Sequence, residues 1–229
     1  MLKDIFLKNN LQLNIEQESD LLKFEKLLVD YNKMFNLTSI LDSEQIYIKH
    51  FLDSIMGAKY FDQGKKIVEI GSGGGFPSVP LKLYNKNLDF TLVESTAKKC
   101  RFLNVVKQEF NLNNFTVICD RCELLARKSE YRENFDIVTA RAVARINTLL
   151  EYCIPFLKVG GKFIAFKTED REELSDAERV SHLLGATLEK IIPYSLPGDN
   201  KRVLYIFKKV EKTSPKYPRG QGKERSKPL

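Results

Sequence analysis

Glu69-Ile70-Gly71-Ser72-Gly73-Gly74-Gly75-Phe76-Pro77 decides the fold. An apolar run, Lys66 to Ile70, stops at the first glycine, and a helical pattern reaching Leu83 follows Pro77. Glycines at a strand-to-helix junction let the chain turn tightly and let a ligand approach the backbone at the C-terminal edge of a sheet. Two common loops are excluded by spacing. A dinucleotide loop needs G-x-G-x-x-G, but here the glycines fall at 71, 73 and 75 and position 76 is Phe. A phosphate-binding loop of the Gly-Lys-Ser/Thr type is also absent. What remains is Glu-x-Gly-x-Gly-x-Gly, with the acid suited to a ligand carrying an ammonium group.

Outward from the loop, short apolar runs alternate with helical patterns. Strands are expected at 66–70, 90–94, 115–119, 135–139, 162–167, 187–193 and 202–208, with helices at 98–110, 147–157 and 172–184. Gly160-Gly161 reads as a turn into the fifth strand, and Gly185 as the cap after the last of these helices. The final two strands are too close for a helical crossover and should form a hairpin. The expected fold is α/β, a mostly parallel sheet with one antiparallel strand at the end and helices on both faces. Before it, residues 1–62 read as a helical extension, with an amphipathic helix at 17–36 and a second helix starting near the N-cap Ser43. Residues 63–210 form the sheet domain, and 211–229 read as a basic flexible tail.

Glu94 ends the second strand, 21 residues after Gly73. A carboxylate there can accept hydrogen bonds from both hydroxyls of a ribose. Loop, acid and strand count together resemble motif I and the fold of the class I S-adenosylmethionine-dependent methyltransferases. After the fourth strand, an Asn/Asp-Pro-Pro-Tyr/Phe motif for amino methylation is missing, and Cys153 lies too far along a helix to be a pyrimidine-attacking thiol. The chain reads Ala140-Arg141-Ala142-Val143-Ala144 instead.

Charge narrows the partner. The 229 residues carry 37 Lys+Arg and 30 Asp+Glu, a net of +7, which points to an anionic partner. The excess is uneven: residues 1–60 carry −2, residues 61–207 carry +3 and residues 208–229 carry +6. No stretch approaches the roughly 18 apolar residues of a membrane span. With charges at the N-terminus and only four cysteines, the expected setting is the reducing cytoplasm. Cys119-Asp120-Arg121-Cys122 is a C-x-x-C, but no second pair of ligands has metal spacing, so no metal is expected.

Six segments taken in order are similar to one family. They are Asn36-Leu37-Thr38, His50-Phe51-Leu52-Asp53-Ser54, the glycine loop through Pro77, Ala140 to Ala144, Arg202-Val203-Leu204, and Lys216-Tyr217-Pro218-Arg219 with Lys227-Pro228-Leu229. They resemble the RsmG (GidB) family, bacterial methyltransferases of guanine N7 in 16S ribosomal RNA, over roughly residues 20–229. The departures are Ser78, where the family usually has Gly, and the wording of the tail between Arg219 and Lys227.

The resemblance implies S-adenosyl-L-methionine as cofactor and the 530 loop of 16S ribosomal RNA, free or within the small ribosomal subunit, as substrate. It implies a monomer and no membrane partner. Cofactor contacts would come from Glu69, Gly71, Gly73, Gly75, Phe76, Glu94, Cys122, Glu123 and Arg141, with Arg141 also the catalytic residue at the substrate boundary. Arg121, His50, Lys98, Lys167, Arg202, Lys216 and Arg219 would lie along the RNA path. His50 and Asp53 share a helix face, either as a packing pair or as part of a lid. Lys98 and Lys99 either meet phosphates or decorate a helix surface. Two other readings stay open: a methyltransferase for another substrate, and a non-catalytic adenosyl- or RNA-binding module.

Overall fold

The structure is a computed structural model and describes residues 1–168, 174 and 177–229. Seven strands form one sheet: β1 (Lys66–Ile70), β2 (Asp89–Glu94), β3 (Phe115–Cys119), β4 (Phe135–Arg141), β5 (Leu157–Thr168), β6 (Ala186–Leu196) and β7 (Asn200–Lys209). Their order across the sheet is β3-β2-β1-β4-β5-β7-β6. β1 to β5 pair in parallel, and β7 runs antiparallel to both neighbours. The antiparallel strand is therefore last in the chain but not outermost, because the hairpin inserts β7 beside β5 and leaves β6 at the edge. The order reverses beside β1, so the C-terminal ends of β1, β2 and β4 open a crevice at a topological switch point.

Side chains alternate across the sheet and build two cores. Ile67, Phe90, Leu92, Ile137 and Ile164 join one core with the N-terminal helices α1 (Leu2–Lys8) and α2 (Ile15–Phe35), contributed by Phe6, Leu21, Phe24 and Leu28. Val68, Ile70, Val138, Phe163 and Phe207 face the other core. α2 starts with a capping box, in which the Asn14 side chain accepts from the Gln17 amide and the Gln17 side chain accepts from the Asn14 amide.

The expected helix from Ser43 is broken into pieces. Asp42, not Ser43, caps α3 (Ser43–Ile46), with its side chain accepting from the Gln45 amide. A π-helical turn, Tyr47–Leu52, follows, then α4 (Asp53–Met56) and a 3-10 turn, Ala58–Tyr60. A π turn adds a residue and re-aims the side chains beyond it. Beyond the glycine loop come α5 (Ser78–Tyr84), α6 (Ala97–Glu109), α7 (Cys122–Leu125), α8 (Ile146–Cys153) and α9 (Ala177–Leu183). The start expected for α9 at Glu172 lies outside the described residues. Gly185 follows α9 with φ +84°, as its capping role requires. Gly160-Gly161 sits inside β5 rather than before it. There the pairing with β4 shifts, and a Cβ on Gly161 would lie 2.8 Å from the Asp136 carbonyl oxygen.

Residues 211–229 are not a loose tail in this fold. Thr213, Tyr217 and Glu224 are buried, and the chain ends in a short helix, α10 (Lys223–Ser226), packed on α8. Arg132 donates to the carbonyls of Thr213 and Tyr217, and Arg219 forms a bidentate pair with the fully buried Glu151. The local composition is that of a solvated segment. Its partners lie roughly 70 to 90 residues earlier in the chain, where no local reading finds them.

Candidate active site

The glycine loop folds over the ends of β1 and β2. The amides of Gly71 and Ser72 donate to the Val93 carbonyl oxygen at 2.8 and 3.3 Å. Glu94 is nearly buried, and one carboxylate oxygen accepts from the Gly73 amide at 2.9 Å while the other accepts from Thr96 at 2.8 Å. The same carboxylate borders a cleft of about 450 Å³, with Gly71, Gly73, Phe76, Ser95 and Lys99 also on its wall.

The three glycines of the motif do different work. Gly73 has φ +56° and no atom nearer than 3.9 Å to where a Cβ would stand, so its missing side chain leaves the cleft open. Gly71 (φ +71°) accommodates Val143, whose Cγ2 would be 2.7 Å from a Cβ there. Gly75 (φ +89°) faces inward, with Val79 Cγ2 at 2.5 Å, and does not border the cleft.

Glu69 does not border the cleft either. It is fully buried, and neither carboxylate oxygen has a hydrogen-bond partner. Burial pushes its carboxyl up to about 8, opposed in part by the Arg141 charge. Alternation places Glu69 with Ile67, toward the N-terminal helices and away from the loop's open side.

A second cavity of about 240 Å³ adjoins the first, and Gly71, Ser95 and Val143 border both. Its far wall carries Asp120, Arg121, Cys122, Glu123 and Tyr152. Arg121, expected on the RNA path, thus stands beside this cavity, with a guanidinium nitrogen 3.2 Å from Glu123. Burial and the neighbouring Glu123 raise the Cys122 thiol well above its usual range, so it stays protonated. Among the described residues no group of three or more His, Cys, Asp and Glu side chains is placed to hold a metal.

On the other side of the loop lies a polar cluster. Arg141, at the end of β4, donates to Asp53 at 2.9 Å and to His50 Nδ1 at 2.6 Å. Asp53 also accepts from the Tyr194 hydroxyl at 2.7 Å and pairs with Arg202 at 3.7 Å. Arg141 can only donate, so His50 Nδ1 accepts, and its Nε2 proton donates to Thr38 at 2.8 Å. The His50 ring stacks on Phe76 with centroids 4.2 Å apart. Burial, reinforced by the Arg141 charge, presses the His50 pKa down to about 3. Beyond Arg141 a third cavity of about 160 Å³ is bordered by Asp53, Lys167 and Arg202. The next residue, Ala142, has φ +54°. A non-glycine residue held there is strained, and such strain concentrates at functional sites.

Thus His50 and Arg141 line the first cavity with Gly71, Gly73, Phe76 and Glu94, Arg141 also borders the third with Lys167 and Arg202, and Cys122 and Glu123 border the second. Four expected RNA contacts differ from their places in the fold. Lys98 is exposed on α6, whereas Lys99 reaches the cleft. Lys216 lies over the Tyr217 ring at 4.9 Å, Arg219 is committed to Glu151, and Arg121 is beside the second cavity. Three neighbours of the site had no local signal: Tyr194, Gly222 and Arg225.

The family described as rRNA small subunit methyltransferase G matches residues 17–200. The ribosomal RNA small subunit methyltransferase G of Lysinibacillus sphaericus is 41% identical over 226 residues, covering 97% of this chain and 95% of the relative. The chain belongs to the small-subunit methyltransferase G family. The Staphylococcus aureus (strain Newman) member is also 41% identical, over 97% of this chain and 94% of its own length. A methyltransferase structure from Pyrococcus furiosus shares the fold with TM-score 0.58 at 16% identity, over 85% of this chain and 98% of that one. The M. jannaschii TYW2 structure, in complex with AdoMet, gives TM-score 0.52 at 18% identity, over 75% and 80%. The cofactor of this methyltransferase family is S-adenosylmethionine, and the paired cavities suit it: a turn left open at Gly73, an acid at the end of β2 and a polar wall beyond.

Proposed function

We propose that this family member transfers a methyl group from S-adenosylmethionine to guanine N7 in the 530 loop of 16S ribosomal RNA, acting as a monomer in the cytoplasm. Among the described residues no helix is long and apolar enough to cross a membrane. The observation that carries the reading is Arg141, which separates the cavity pair of the glycine loop from the polar cavity of Asp53, Lys167 and Arg202.

Glu94 takes the ribose hydroxyls. Both its oxygens already hold the loop through Gly73 and Thr96, and each retains accepting capacity. Cys122 and Glu123 flank the adenine, Gly71 and Gly73 offer backbone to the cofactor, and Phe76 closes the wall with His50 behind it. When bound, the cofactor supplies an electrophilic methyl on a sulfonium.

Guanine N7 has a free lone pair and no proton to lose, so an in-line displacement there needs neither a general base nor a metal. Orientation carries the catalysis. His50 fits this scheme, since both its ring nitrogens are engaged and burial keeps it neutral. Arg141 presents a planar donor to the guanine edge, and Asp53 offsets its charge as the base becomes cationic. Lys167 and Arg202 hold the flanking phosphates and help keep the target base flipped out.

The test is transfer of labelled methyl groups to small subunits from a strain lacking this gene, followed by mapping of the modified base. Label at N7 of a guanine in the 530 loop is expected. Label on a protein or another base would overturn the assignment.

A further inference from the structure

The C-terminal segment is built into the wall of the cofactor cavities. The Arg219 guanidinium grips Glu151 at 2.8 to 3.1 Å, and its backbone amide donates to the same carboxylate at 2.8 Å. Thr148 donates to the Glu224 carbonyl at 2.7 Å, Asn147 donates to the Leu229 carbonyl at 3.1 Å, and the Gly220 amide donates to the Glu224 carboxylate. These bonds fix α10 against α8 and set Gly222 and Arg225 at the mouth of the second cavity.

Arg225 also borders the first cavity, at the seam marked by Gly71, Ser95 and Val143. Among the described residues its guanidinium donates to the Val143 carbonyl oxygen alone, at 3.5 Å. Among the described residues no carboxylate forms an ion pair with it, unlike Arg219, Arg141 and Arg202. An exposed guanidinium thus borders both cavities of the pair.

We propose that Arg225 stacks its guanidinium on the adenine ring of the cofactor, making the segment from Arg219 to Leu229 part of the cofactor site. The proposal rests on the S-adenosylmethionine reading above. A cation over an aromatic face is attracted by the ring's electron density, and Arg, being planar, also stacks face to face, which the ammonium of Lys does not. The adenine itself is neutral, so the contact does not need a charge on the ligand at that end.

The test is calorimetric titration of the full chain with S-adenosylmethionine and, separately, with 5′-methylthioadenosine, which lacks the amino-acid end. Arg225→Ala is expected to weaken both by a similar factor, roughly five- to thirty-fold. Arg225→Lys should recover only part of that loss. The melting temperature should not move, because the side chain is exposed. Affinities within twofold of wild type for both ligands would overturn the proposal. So would a loss confined to S-adenosylmethionine, which would put the guanidinium on the ligand's carboxylate. Wild-type protein binding neither ligand would bring down the cofactor reading itself, and this inference with it.

Discussion

At the scale of single residues, Arg141 concentrates the most consequence. One guanidinium is shared between a carboxylate and a neutral imidazole, within reach of two cavities. Arg141→Ala is expected to lower methyl transfer about a hundredfold or more at saturating cofactor, the scale seen when one oriented donor is removed. The cost in stability should be about 1–3 kcal/mol, limited because Asp53 keeps Tyr194 and Arg202. Single-turnover transfer together with urea unfolding separates the two effects. Arg141 stood out only through the family resemblance, whereas the glycines and Glu94 were legible in the sequence because their spacing is local. The network on Asp53 was not: Tyr194 lies 141 residues away from it, and only the folded sheet brings the two together. Glu69 and Gly75 show the converse. Their motif is local and plain, yet both serve the packing beneath the loop rather than the cleft.

At the scale of elements, the β6–β7 hairpin acts as a positioning device. Tyr194 and Arg202 are directly paired across it, and both point to Asp53 on the opposite layer. Their effects should therefore be coupled. Tyr194→Phe and Arg202→Ala combined should depart from additivity by roughly 0.5–3 kcal/mol in stability, as expected for residues sharing one partner. A double-mutant cycle by urea unfolding checks this, and strict additivity would deny the shared role of Asp53. The sequence pattern made the hairpin legible because the connection between the last two strands is too short for a helical crossover. It did not place β7 inside the sheet, since nothing local fixes which neighbour an antiparallel strand joins. The π turn at Tyr47–Leu52 was hidden for a related reason, because apolar periodicity barely distinguishes one extra residue in a helical run.

At the scale of the whole molecule, two buried titratable groups shape the response to pH. The Glu69 carboxyl, raised by burial from 4.5 to about 8, keeps its proton in the folded state after the unfolded chain has lost it. Its contribution to stability is complete below pH 4.5 and is lost as pH rises to about 8. His50, lowered from 6.5 to about 3 by burial and by Arg141, acts in the opposite sense. Its contribution is complete above pH 6.5 and is lost as pH falls to about 3. These two terms oppose each other between 4.5 and 6.5 and leave falling limbs on either side. Glu69→Gln should flatten the alkaline limb, so its stability relative to wild type rises with pH between about 4.5 and 8. Urea unfolding at a series of pH values measures this, and a difference independent of pH would show that Glu69 does not titrate as stated. Charge at this scale also changes meaning. Two of the eight cations after Phe207 are committed internally, Lys209 to Glu133 and Arg219 to Glu151, while Lys208, Lys212, Lys216, Lys223, Arg225 and Lys227 stay exposed and available to an anionic partner.

The His50 ring gives this protein an internal reporter. The chain has two histidines and no tryptophan. One imidazole, His182, is on the surface, whereas the other is sandwiched against Phe76 with both nitrogens engaged. In a nitrogen-15 NMR spectrum the two should be distinguishable by tautomer and proton exchange alone. The His50 resonance touches the glycine loop through Phe76, the Asp53 cluster through Arg141 and the helical layer through Thr38. Its shifts would register each binding event separately, without any label having to be engineered into the site.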